Sequence, residues 1–71
     1  MNNVTGCRFQ DNGSRRIWFF RDNSQAVENI TLPLKLRFKF WDASNRPVRS
    51  KEQQAQMKKS IEQFKKLRGI K

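Results

Sequence analysis

The sequence predicts an α+β domain in which a three-stranded antiparallel sheet packs on one C-terminal α-helix. Three observations support this fold: a hairpin turn signal near the N-terminus, strict alternation of apolar and cationic residues in the middle, and a capped helical segment near the end. A chain of 71 residues is the size of one small domain. Within a single basic domain, 1–71, we expect a flexible N-terminus over residues 1–5, the sheet over 6–41 and the helix over 50–68.

The first two strands are predicted on either side of the sequence DNGS, residues 11–14. Asn12 and Gly13 both tolerate positive φ, and Asn-Gly between strand-like runs is a strong signal for a hairpin. The run RRIWFFR, residues 15–21, follows the turn and is rich in the aromatic and β-branched residues that strands favour. We therefore expect a tight β-hairpin.

The length of the turn decides which side chains of the hairpin face the core. A two-residue turn pairs Cys7 with Trp18, whereas a three-residue loop pairs Cys7 with Phe19. Cross-strand partners share a face, and a slip of one residue inverts both faces. We favour the three-residue loop because it separates apolar from cationic side chains more cleanly. It buries Cys7, Phe9, Ile17 and Phe19, and it leaves Arg8, Arg16, Trp18 and Phe20 on the open face.

The clearest strand is LKLRFKFW, residues 34–41, in which apolar and cationic residues alternate from Leu34 to Phe40. Alternation with a period of two sends one set to the core and the other to the open face. We expect the cations to form a row at intervals of about 6.6–7 Å, close to the spacing of phosphates in a nucleic-acid strand. Lysines in such a strand would equally guard a sheet edge against aggregation. The row consists of Lys35, Arg37 and Lys39.

The segment AVENITLP, residues 26–33, is either a short strand or an irregular connection. Pro33 cannot donate a ladder hydrogen bond, so it belongs at a sheet edge or at the start of a strand. The sequence leaves both structures open for this segment.

The C-terminal helix has a start signal and a stop signal. Ser50 followed by Gln53 matches a capping box, and Gly69 is a natural residue for the position after the last turn. Between them, apolar residues recur at helical spacing and form a narrow stripe that can cover the sheet. The stripe contains Met57, Ile61 and Phe64, with Leu67 at its edge, and we expect Lys58, Lys59, Lys65 and Lys66 on the opposite side.

Net charge is the strongest indication of function. Sixteen Lys and Arg residues stand against six Asp and Glu residues, for a formal charge of +10 and a pI near 11.0. Both halves of the chain are basic, so the charge does not come from a tail. Basicity throughout a small domain indicates a polyanionic partner, of which nucleic acid is the commonest. A membrane surface and an acidic protein patch are the alternatives.

The composition argues against an enzyme. The chain has no His, no Tyr and a single Cys, so general acid–base chemistry would fall to scattered carboxylates or lysines. It has no Cys/His set for a metal and no Gly-rich phosphate loop, so we expect no metal and no cofactor. It has no apolar run that could cross a membrane and no signal-peptide pattern, which predicts a cytoplasmic protein.

The order of strand, Asn-Gly hairpin, strand, strand and helix, with basic strands and the helix start SKEQQ, resembles the arm-type DNA-binding domains of tyrosine recombinases. It also resembles a family of plant transcription-factor domains. In both families a three-stranded sheet enters the major groove and a C-terminal helix backs it. The resemblance is architectural, and it implies that the open face of the sheet binds duplex DNA.

We therefore predict a non-enzymatic nucleic-acid-binding protein, with duplex DNA favoured over RNA, because no RNA-module signature is present. Small basic proteins of this size are typical of phages and mobile elements, where they act as accessory or regulatory factors. The exposed tryptophan Trp18 is expected to stack on bases or to wedge between them. The predicted contact residues are Arg8, Arg15, Arg16, Trp18, Arg21, Lys35, Arg37 and Lys39.

The alternative is a small protein-interaction module, such as an inhibitor or an assembly factor, or a homodimer. Aromatic residues and arginines are also the residues on which protein interfaces depend. The two functions differ in salt dependence, because nucleic-acid binding weakens steeply as salt rises. An interface anchored by tryptophan would largely survive the same change. A membrane-surface helix is disfavoured, because the narrow apolar stripe is needed to cover the sheet.

Overall fold

The computed structural model describes residues 3–70 and shows an α+β fold with an antiparallel sheet packed against a C-terminal helix. The sheet has four strands in the order β1-β2-β3-β4, so the prediction of three strands was wrong. The strands are β1 (Val4–Gln10), β2 (Arg15–Phe20), β3 (Gln25–Asn29) and β4 (Phe38–Trp41). The helices are a single turn, α1 (Leu34–Arg37), and the long α2 (Lys51–Arg68).

The expected flexible N-terminus is only partly within the described residues, because residues 1 and 2 lie outside them. Val4 and Thr5 already belong to β1, so the sheet begins two residues earlier than predicted. The pairing between β1 and β2 is irregular between Val4 and Gly6, and this places Val4 opposite Phe20. Val4 is buried in the hydrophobic core, which explains why the strand begins so early.

The Asn-Gly hairpin is present with the register of the two-residue turn, although the ladder ends at the pair Gln10–Arg15 and Asp11 also has positive φ, 51°. The amide of Ser14 donates to the carbonyl of Asp11 at 3.1 Å, and the two residues between them have positive φ, 58° for Asn12 and 92° for Gly13. Positive φ at both central positions is the signature of the type I′ turn, whose twist matches that of the strands. Cys7 consequently pairs with Trp18, as the two-residue turn requires.

The favoured three-residue register was therefore wrong, and the two faces of β2 are exchanged, while on β1 Cys7 packs against the core and Arg8 faces outward as predicted. Trp18 and Phe20 are buried under α2, while Phe19 is turned to the opposite face and is 37% exposed. Arg16 shares the buried side with Trp18, because a buried carboxylate described below gives it a partner. The three-residue register was favoured because it leaves Arg8 and Arg16 on the open face, whereas the structure places Arg16 beside the buried Glu28.

The segment left open by the sequence contains both kinds of structure. Residues 25–29 form β3, and the chain then turns through residues 30–33 before α1. The turn before β3 is built around Asp22, whose carboxylate accepts hydrogen bonds from the hydroxyl and from the amide of Ser24. These hydrogen bonds lower the pKa of the Asp22 carboxyl below its usual range.

The strand predicted over residues 34–41 exists only in its second half. Residues 34–37 form α1, whose start is set by Pro33 with φ −59°, and the amide of Leu36 donates to the Pro33 carbonyl at 2.9 Å. Proline suits a helix start, and leucine, lysine and arginine are good helix formers, so local preference wins over alternation here. Leu34 and Leu36 are 62% and 64% exposed rather than in the core. The expected cation row of Lys35, Arg37 and Lys39 does not form.

The long helix α2 agrees closely with the sequence prediction. The Ser50 hydroxyl accepts from the amide of Gln53 at 3.3 Å, and Gly69 ends the helix in the left-handed conformation with φ 69°. The apolar stripe faces the sheet, and Leu67 at its edge is 77% exposed. The buried core is made of Val4, Trp18, Phe20, Ala26, Phe40, Val48, Met57 and Ile61.

Two lysines of α2 lie elsewhere than predicted. The side chain of Lys65 reaches under the sheet to a carboxylate, and the Nζ atom of Lys58 lies 5.7 Å from the centre of the Phe38 ring. Lysine stems can cover apolar surface while the charged end finds a partner. Lys59 and Lys66 are exposed, as expected.

Ile61→Ala is expected to destabilise the fold by about 2–5 kcal/mol, because Ile61 is fully buried between α2 and the sheet. The measurement is urea denaturation followed by circular dichroism. Leu67→Ala is the matched control on the same helix, and it should change the unfolding free energy by less than about 0.5 kcal/mol. Equal effects of the two substitutions would contradict the burial assigned to the stripe.

Candidate nucleic-acid interface

The strand register divides the side chains of the sheet between two faces. The inner face packs against α2 and carries Trp18, Ala26, Glu28, Phe38 and Phe40. We call the opposite side the outer face. Its residues are Arg8 and Gln10 on β1, Arg15, Ile17 and Phe19 on β2, Gln25, Val27 and Asn29 on β3, and Lys39 and Trp41 on β4.

A buried carboxylate organises the inner face. Glu28 on β3 is 1% exposed, and its two oxygens have different partners. The Trp18 indole Nε1–H donates to Oε1 at 3.1 Å, and the Lys65 ammonium donates to Oε2 at 2.9 Å. Guanidinium nitrogens of Arg16 and Arg37 lie 3.8 and 3.9 Å from the same carboxylate. Buried charge is tolerated only when it is paired and hydrogen-bonded in this way.

Three of the predicted contact residues, Arg16, Trp18 and Arg37, contact the buried Glu28 carboxylate instead of facing solvent. Trp18 is fully buried, and its ring meets the Phe64 ring edge-on at a centroid distance of 5.8 Å. It cannot stack on a base without unfolding the core, so that prediction was wrong. The side chains of Arg16 and Arg37 lie beside Glu28 and are only 13% and 28% exposed. Both arginines therefore make structural contacts, and Arg37 also donates a hydrogen bond to the Leu32 carbonyl at 3.2 Å.

Three other predicted residues share the outer face. Arg8 and Lys39 are exposed and lie at opposite ends of one cross-strand row, Arg8–Ile17–Val27–Lys39. Arg15 belongs to the neighbouring row, is 54% exposed and pairs with Asp11 at 3.4 Å. Among the outward positions of the four described strands, no residue is acidic. These three cations therefore face solvent, and the carboxylate that pairs with Arg15 belongs to the turn rather than to an outward strand position.

Two aromatic residues lie on the outer face in the row Gly6–Phe19–Gln25–Trp41. Phe19 is partly exposed, and Trp41 is half-buried beside Pro47, with which it forms an isolated bridge. The side-chain amide of Gln25 donates to Asn45 Oδ1 at 3.4 Å, which orders the residue between the two rings. Phe19 was missing from the predicted site because the favoured register places it in the core. The register of the two-residue turn places it on the outer face.

The remaining two predicted residues lie away from the outer face. Arg21 is exposed in the turn after β2 and lines a cavity of about 340 Å³ between that turn and α2. Lys35 on α1 lines a second cavity of about 260 Å³, together with Lys51 and Lys58 of α2. The structure thus brings together Arg8, Arg15 and Lys39, and it separates Arg21 and Lys35 from them.

Between residues 3 and 70 no group of three His, Cys, Asp or Glu side chains could hold a metal ion. Burial raises the pKa of the Cys7 thiol, which makes its reactive thiolate scarcer. Neither described helix has the length and the apolar character needed to cross a bilayer.

Comparisons of the chain with protein-family models, with curated proteins and with solved structures found no match. The recombinase-like architecture expected from the sequence also differs from the structure in strand number. Support for a function therefore comes from the geometry of the outer face and from the charge of the chain.

Glu28→Gln is expected to destabilise the protein by about 3–5 kcal/mol, because it leaves three cations around a neutral group in a buried site. A domain of this size has a net stability of only a few kcal/mol, so cooperative thermal unfolding should be lost or strongly shifted. Circular dichroism melting provides the measurement.

Glu62→Gln makes the same chemical change at an exposed position of α2, and it should shift stability by less than about 0.5 kcal/mol. If Glu28→Gln melted like Glu62→Gln, the cluster would not hold the fold together.

Proposed function

We propose that this protein binds nucleic acid through the outer face of its sheet and has no catalytic activity. The observation that carries the proposal is the content of that face: three exposed cations, two aromatic rings and no carboxylate on any outward strand position. Cations meet phosphates and aromatic rings meet bases, so the same surface offers both contacts that a nucleic acid provides.

The fold supports this use because both described helices lie on the other side. The core residues of α2 pack on the inner face, and Arg37 of α1 reaches the inner carboxylate of Glu28. The outer face is thereby left for a partner. Three or more antiparallel strands with one covered face are a common stable arrangement, so the uncovered side costs the fold little.

The overall charge supports the same partner class. The formal charge is +10, and one of the six acidic residues, Glu28, is enclosed by cations. A field of this sign accelerates association with a polyanion and explains a basic composition that extends beyond the contact residues. We propose the cytoplasm as the compartment and an accessory or regulatory role, of the kind small basic proteins have in phages and mobile elements.

A protein-interaction function is the second candidate, and the exposed leucines of α1 favour it. Leu34 and Leu36 are more than half exposed, and Leu34 borders the 260 Å³ cavity whose floor includes Phe38 and Phe40. This surface lies apart from the outer face, and its apolar contacts would depend weakly on salt. Binding of a partner protein there would be compatible with nucleic-acid binding on the other side.

The triple variant Arg8/Arg15/Lys39→Gln is expected to lose most nucleic-acid binding. With three phosphate contacts, log K should fall against log salt with a slope of about −2 to −3, and the variant should abolish most of that slope. Fluorescence anisotropy of a labelled oligonucleotide at several salt concentrations provides the measurement.

The charge-matched control is Lys51/Lys59/Lys66→Gln, which removes the same charge from exposed positions of α2. It should keep most of the affinity and of the slope. If both triple variants lost binding equally, net charge rather than the outer face would be responsible, and the proposed site would be wrong.

A further inference from the structure

The outer face has a layout that distinguishes between single-stranded and duplex nucleic acid. We infer that its ligand is single-stranded nucleic acid, with bases stacked on Phe19 and Trp41 and the backbone held by Arg8 and Lys39. This inference rests on the proposed function, and it names the substrate class of the same site.

The width of the sheet disfavours a duplex. Adjacent strands lie about 4.8 Å apart, so the axes of β1 and β4 are separated by about 14 Å before side chains are added. Residues 46–48 extend the sheet further, since Asp42 and Val48 donate to the carbonyls of Arg46 and Phe40. The major groove is about 12 Å wide and admits a helix or a two-stranded ribbon. The row of four strands is wider than this groove, so the outer face as a whole could not enter it.

The spacing of the rings favours an unstacked strand. Phe19 and Trp41 occupy the same cross-strand row on β2 and β4, with β3 between them. Two strand spacings place them about 9–10 Å apart, almost three times the 3.4 Å rise of a duplex strand. A ligand that stacks on both rings must separate its bases, and only a single strand can present bases in this way.

Each ring has a cation beside it. Lys39 lies two residues before Trp41 on β4, about 6.6–7 Å along the same face. Arg8 pairs with Ile17 and is therefore a diagonal neighbour of Phe19, about 7–8 Å away. The side chain of Gln25, held by Asn45, lies between the rings and can donate to or accept from a base edge. Phe19 with Arg8 and Trp41 with Lys39 thus form two similar units, which a single nucleic-acid strand can contact one after the other.

The two tryptophans make the test direct. Trp18 is fully buried and bonded to Glu28, so the fluorescence of Trp41 alone should respond to a base that stacks on the outer face. The probes are 12-nucleotide oligo-dT and oligo-U and a 12-base-pair DNA duplex. We expect either single strand to bind at least about tenfold more tightly than the duplex and to quench tryptophan emission.

Phe19→Ala should weaken binding of the single strand by about 5- to 150-fold, the range for loss of one base–aromatic stack. Val27→Ala, on the same face and in the neighbouring row, is the matched control and should leave the affinity within about twofold. Trp41→Phe should keep most of the affinity, because a ring remains, while it removes the quenching. Thermal melting of each variant confirms that it is folded.

The outcomes separate the inference from the proposed function. If the duplex bound as tightly as the single strands and folded Phe19→Ala retained full affinity, while Arg8/Arg15/Lys39→Gln lost binding, the single-strand inference would be overturned and nucleic-acid binding would stand. If neither single strands nor duplex bound at low salt, the proposed function itself would fail.

Discussion

The buried carboxylate of Glu28 is the constraint on which the rest of this structure depends. An isolated anion in the core would be very costly, and its cost is offset only because four side chains from three elements converge on it. Trp18 and Arg16 come from β2, where Arg16 is the cross-strand partner of Glu28, while Arg37 comes from α1 and Lys65 from α2. A single residue thereby links the sheet to both helices.

This cluster also determines the character of the outer face. By drawing Arg16 and Trp18 inward, it fixes the register of β2, and the alternation of the strand then turns Arg15, Ile17 and Phe19 outward. A slip of one residue would exchange these sets and remove the two partners that β2 gives to Glu28, Arg16 and Trp18. The cations thus fall into two groups. Arg16, Arg37 and Lys65 neutralise the core carboxylate. Arg8, Arg15 and Lys39 lie on the outer face, where no outward strand position is acidic.

Local signals in the sequence predicted local structure well. The Ser50 cap, the Gly69 stop and the apolar stripe of α2 follow from spacing within one segment, and the Asn12–Gly13 turn follows from the conformations open to two residues. The single turn of α1 was missed because perfect alternation over Leu34–Arg37 masked the effect of Pro33 and of helix-forming residues.

Contacts between distant residues could not be predicted in the same way. No local pattern shows that Glu28 meets Lys65, which lies 37 positions later in the chain, and without that contact an inward Arg16 looks unfavourable. The structure places Arg8, Arg15 and Lys39 on one open face, whereas Trp18 is buried and the aromatic residues on that face are Phe19 and Trp41. Binding by that face stays a prediction.

The most direct measurement is the pair of indole N–H signals in a ¹H–¹⁵N spectrum recorded while oligo-dT is added. The account predicts that the Trp41 signal moves, with backbone shifts on the outer strands, while the Trp18 signal stays in place because its N–H is bonded to Glu28 in the core. Movement of the Trp18 signal alone, or shifts confined to α2, would contradict the division of the sheet into a structural inner face and a binding outer face.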